Sequence, residues 1–183
     1  EQESGRWDPP QPSVLFEGTL DKAEDFYAQA EWVPHPVNAP MAVYSAGYPV
    51  RVPTEERVKE MLTGTSHKPD EVITCQADRL GIRGGRKKGD PVSFQPMNGT
   101  ATVEKIAVNA VMAGCKPEYF PVVLAIAESG CGIESTHSLG QWVCVSGPVA
   151  KEIKMNAGLG LLGCGNPANM TIGLTYQLMA RNL

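Results

Sequence analysis

The stretch from Asn109 to Tyr119, N-A-V-M-A-G-C-K-P-E-Y, constrains the fold of this chain more than any other, because it ends one helix and begins another around a cysteine. Apolar side chains at Val103, Ile106, Ala107, Ala110 and Val111 recur with a helical period over Thr102 to Ala113, and Gly114 is the usual stop. Pro117 suits the first position of the next helix, biases Lys116 away from helical angles, and is followed by Glu118, which favours the positive end of a helix dipole. Cys115 is therefore expected just outside a helix N-terminus. Unpaired amides, the dipole and Lys116 would draw its thiol pKa from about 8.5 toward neutrality. The competing expectation is a small buried cysteine filling a corner between two helices.

A chain of 183 residues fits one domain of ordinary size. Its hydrophobic content of 42% and net charge of -4 match a globular protein and argue against a nucleic-acid partner held by bulk electrostatics. No apolar run reaches membrane-spanning length, so no membrane association is expected. The five cysteines, Cys75, Cys115, Cys131, Cys144 and Cys164, are odd in number and form no C-x-x-C pair. Neither a disulfide framework nor a metal knuckle is signalled, and a reducing, cytoplasmic setting is expected. With no initiator methionine at the start and a helical pattern running to Leu183, we expect processed ends or a larger protein divided between chains.

The pattern predicts an α/β, helix-rich single domain with a small sheet over residues 15–183, preceded by an extended arm over residues 1–14 in which Pro9, Pro10 and Pro12 crowd together. A short helix is expected from Leu20 to Trp32, then a proline-enforced loop through Pro34, Pro36 and Pro40. Thr54 should cap a helix carrying Val58, Met61 and Leu62 on one face and ending at Gly64. Gly81 to Asp90, with four glycines and four basic residues, reads as a solvated loop or an anion clamp. Tyr119 to Ile126 should be a strongly apolar helix, Trp142 to Val145 a buried strand, Pro148 to Lys154 a helix, and Pro167 onward a last helix capped by Asn166.

Three of these helix starts have small or nucleophilic residues in front: Cys115 before Pro117, Ser146 before Pro148, and Cys164 and Asn166 before Pro167. Were they to converge, their amides would form a pocket for a small anion. Asn156, Asn166 and Asn169 could then donate hydrogen bonds, although an asparagine is more often a cap than a catalyst. His137, in E-S-T-H-S, is the best placed general acid or base and would pair with Cys115, whereas His35 and His67 read as surface residues. Gly158 to Gly163, G-L-G-L-L-G, matches the dinucleotide fingerprint only in letters: no strand precedes it, and no Asp or Glu follows Glu152. Cys115, Cys131, Cys144 and Cys164 could be gathered by folding around a metal or iron–sulfur cluster, but their spacing does not ask for one. No cofactor is named by the residues.

The run T-V-E-K-I-A-V-N-A-V-M-A-G-C-K-P-E-Y-F-P-V-V-L from Thr102 to Leu124 resembles a bacterial family labelled UGSC-family (seleno)protein or thiol reductase-like selenoprotein. So do T-H at Thr136, S-G-P at Ser146, M-N-A-G at Met155 and G-N-P-A-N-M-T-I-G at Gly165. Phe16 to Thr19, Pro53 to Val58 and Pro69 to Ile73 extend the resemblance into the N-terminal half, while residues 32–50 and 76–98 look like insertions. The UGSC motif itself is absent from these residues, and Cys131, Cys144 and Cys164 lie outside the pattern. The resemblance implies a catalytic set of Cys115, His137 and Asn109. With the helix starts, it also marks Lys116, Glu118, Ser146, Asn156, Asn166 and Asn169 as substrate-binding candidates.

The expected function is a subunit of a heteromeric cytoplasmic enzyme, acting on a small anionic substrate by thiol-dependent reductase or lyase chemistry, with a second protein subunit and a higher oligomer as partners. Hydrolase or hydratase chemistry through the same residues, or a non-catalytic scaffold that completes a partner's active site, are the alternatives.

Overall fold

Four helices begin where a short polar side chain accepts a hydrogen bond from the amide three residues on. Thr19, Thr54 and Thr102 do so toward Lys22, Arg57 and Lys105 at 3.4 to 3.5 Å, and Asn166 toward Asn169 at 3.0 Å. The computed structural model describes residues 14–34, 38–45, 49–78, 86–94, 99–129, 142–163 and 165–183. In chain order these form α1 (Leu20–Tyr27), β1 (Ala30–Val33), β2 (Ala39–Ala42), α2 (Glu55–Leu62), α3 (Val103–Met112), a 3-10 turn (Pro117–Tyr119), α4 (Phe120–Glu128), α5 (Pro148–Glu152) and α6 (Pro167–Asn182). The helix-rich α/β expectation holds.

Two expected elements differ. The helix starting at Leu20 stops at Tyr27, and β1 pairs antiparallel with β2, Trp32 opposite Pro40, where only a helix tail and a loop were expected. Proline is tolerated there because, among the described residues, the pair is a two-stranded ribbon with open edges. Trp142 to Val145 is not a buried strand: it is irregular, and Trp142 is 75% exposed. The predicted arm over residues 1–14, apart from Val14, and the first half of the predicted basic loop, residues 81–85, lie outside the described residues.

The core gathers on α3, which buries Val103, Ile106, Ala107, Asn109, Ala110, Val111 and Met112. A helix apolar on nearly all sides must be covered on all sides. Here α2, α4 and α6 supply the cover. Behind α3's start, residues 71–75 run between 90–94 and 99–103, with Ile73 N–H donating to Ala101 and Val92 N–H donating to Ile73, each at 2.9 Å. The main cluster includes Met61, Phe120, Val123, Ile172 and Met179, and a smaller one joins Ala23, Tyr27, Val52 and Leu178 to the end of α3. Phe120 is fully buried, and truncating such a ring costs about 3–5 kcal/mol. Gly64 lets α2 end directly on the 3-10 turn: a Cβ there would sit 2.1 Å from the Pro117 carbonyl oxygen.

Candidate functional site

α3 ends in a Schellman turn. Gly114 takes φ +80°, its N–H bonds to Val111 O at 2.9 Å, and the Cys115 N–H reaches back to Ala110 O at 2.9 Å. The residue in Cys115's place in this motif usually packs back onto the last turn of its helix. That is what happens: Cys115 is 0% exposed and belongs to the main core cluster. The helix start after it does follow, as the 3-10 turn capped at Lys116 and running into α4, but the cysteine faces the core.

Its partner is Thr175 of α6, with Sγ 3.2 Å from Oγ1. The Thr175 hydroxyl already donates to Thr171 O at 2.7 Å, and Thr171's hydroxyl donates to Pro167 O at 2.7 Å. A hydroxyl has one hydrogen to give, so the thiol is left as donor in the Cys115–Thr175 bond. Burial pushes the thiol pKa up, and the hydroxyls of Thr171 and Thr175, which pull the other way, do not offset it. They could serve a thiolate only by turning away from their helix carbonyls. The expected lowering toward neutrality is thus corrected: loss of water around the sulfur raises the pKa by more than the two hydroxyls lower it, and the buried-corner expectation prevails.

The predicted asparagines meet α6 at other levels. Asn109, buried in α3, donates from Nδ2 to Lys105 O at 2.9 Å and accepts from Asn182 Nδ2 at 2.8 Å. Asn182 is two turns, or about 10 Å, beyond Thr175. α3 and α6 therefore run antiparallel, and Asn109 and Cys115 meet α6 at separate levels. Toward α6's other end Asn156, Asn166 and Asn169 do come together, but on backbone. Asn169 donates from Nδ2 to Asn156 O at 2.9 Å and Leu161 O at 3.0 Å, while its Oδ1 accepts from Asn156 N–H at 3.1 Å. Asn166 caps α6 and donates to Lys154 O at 2.9 Å, and Asn156 bridges its own turn to Leu159 O and Gly158 N–H. The same amides that could have held an anion pin the 156–163 loop onto α6.

Lys116 and Glu118 are exposed and pair with each other at 3.9 Å, and Ser146 is exposed ahead of α5. His137, Cys131 and Cys164 lie outside the described residues. Cys144 is an exposed free thiol and Cys75 a buried one. Among the described residues no three His, Cys, Asp or Glu side chains gather as a metal would require, and no helix is long and apolar enough to cross a membrane.

Sequence reasoning passed over three things. Thr171 and Thr175, four apart on α6, were open to reading as a pair bonding back to their own helix. Leu159, Leu161 and Leu162 stand exposed on the asparagine-pinned loop, Leu159 completely. A groove of about 650 Å³ runs between residues 14–20 with α1 and residues 52–62, floored by Glu104 and Val108 of α3. The chain matches no protein-family model, no curated protein and no solved structure.

Proposed function

We propose that this chain works as a non-catalytic subunit of a larger enzyme, contributing a shaped apolar surface to its assembly. The observation that carries the reading is the asparagine clasp. Asn169 in α6's first turn holds backbone groups of Asn156 and Leu161, Asn166 at the cap holds Lys154 O, and Asn156 closes its own turn, fixing a loop whose leucines face water. Held in one conformation, such a loop loses little entropy on docking, and its leucines gain about 25 cal/mol for each Å² of apolar surface they bury. Thiol-dependent reductase or lyase chemistry, which the UGSC resemblance implies, would need the Cys115 sulfur to be reached. The hydroxyls of Thr171 and Thr175 beside it are what favours that second reading.

The test is the native particle. The chain, tagged and expressed at its natural level in its own cells, should run well above single-chain mass in company with a second kind of polypeptide. A Leu159→Asp/Leu162→Asp variant, folded as judged by circular dichroism, should run free. A wild-type chain at single-chain mass contradicts the proposal.

A further inference from the structure

Two surface features of this chain are complementary. The leucine loop is a knob: Leu159, Leu161 and Leu162 project between α5 and α6, no acidic residue follows Glu152 in the sequence, and the exposed charges just ahead of it, Lys151, Glu152 and Lys154, sum to one positive charge. The groove is a socket, with apolar walls that include Leu15, Leu20, Val58 and Leu62. Its charge has the opposite sign. Lys59 is neutralised by Glu55 at 3.4 Å, and among the described residues no ion pair engages Glu17 or Glu104.

The two features are built from different elements. Residues within 14–27 and 52–62, with Glu104 and Val108 of α3, line the groove, whereas the loop is pinned to the first turn of α6, and no described residue of α6 or of the loop lines the groove. A loop clasped to α6 is held away from the groove of its own molecule. Between two molecules they would form a head-to-tail contact, which leaves a free knob and a free socket to add the next copy.

We infer that the partner seated in the groove is a second copy of this chain, presenting its leucine loop. This rests on the reading of the loop as a docking element and names its occupant. Like charges disfavour socket against socket, and the apolar rim disfavours a small hydrophilic anion. The contact should weaken with salt, because Glu17 and the lysines flanking the leucines are exposed and Glu104 is partly so.

Sedimentation velocity of the full chain over a dilution series tests it. Wild type should gain mass with concentration as dimers and longer chains. Leu159→Asp/Leu162→Asp, which blunts the knob, and Leu15→Asp/Leu20→Asp, which fouls the socket at two exposed positions, should each weaken self-association by about thirtyfold or more. Mixed in equal amounts, the two variants should form a dimer that grows no further, since one intact knob meets one intact socket. If the loop variant is monomeric but the groove variant associates like wild type, the inference is overturned while the loop keeps its docking role. Wild type that stays monomeric at every concentration, yet needs its leucines to enter the native particle, overturns the inference in the same way. If both variants associate like wild type, the inference fails and the docking role loses its support.

Discussion

The two levels of α6 that the sequence marked for chemistry handle polar groups in opposite ways. At the Cys115–Thr175 seam a thiol and a hydroxyl are enclosed in the core, bonded to each other, and water is excluded. At the asparagine clasp, Asn166 and Asn169 at the helix start and Asn156 in the loop hold backbone that would otherwise be loose, and apolar side chains are turned outward. A nucleophile needs access, and the seam denies it. A docking surface needs rigidity with exposure, and the clasp supplies both.

The sharpest break of this contrast is a disruptive substitution at each level. Cys115→Asp puts a carboxylate where nothing can solvate it and should cost more than about 4 kcal/mol, enough to unfold much of the population; urea denaturation reads this. Asn169→Ala removes three bonds from a half-exposed site whose freed groups partly regain water, for a loss of about 2 kcal/mol. Hydrogen exchange should quicken at the Asn156 amide, and an unchanged rate there would mean that the loop is held by something else.

Alkaline titration sharpens the comparison further. The folded state holds the Cys115 proton above the ordinary value of 9.0, so this contribution to stability is whole below that pH and is lost as pH rises through the folded-state pKa. Tyr27, raised from 10.0 by burial and then by Tyr44, acts in the same direction at still higher pH. Cys115→Ala should flatten the first part of that decline in a denaturation series, and an undiminished slope would remove the thiol as its source. The smallest effect is expected at the exposed level, where Leu159→Asp should shift stability by no more than about 0.5 kcal/mol.

Helix boundaries were legible because caps are local. Thr54, Thr102 and Asn166 name their helix starts within three residues. The fate of Cys115 was not local. The same letters, Gly114 before and Pro117 after, serve a cysteine at a helix start and a cysteine closing a Schellman turn, and Thr175, sixty residues on, is what encloses it. Asn156, Asn166 and Asn169 were singled out only on the condition that the helix starts converge, and their purpose depends on where the loop carbonyls fall. Trp142 to Val145 shows the remaining gap: an apolar run has no periodicity to say which side is covered. The β1–β2 hairpin was obscured by Pro40, which reads as a loop signal unless the open edge is known.

The enclosure of one sulfur decides between reactive site and building block, and competitive alkylation at neutral pH measures it directly. With a limiting alkylating reagent and peptide mass analysis, Cys144 should be modified well before Cys115, which reacts only as fast as the protein opens. Modification of Cys115 as fast as Cys144 in the folded protein would contradict this account and return the thiol to the centre of the function.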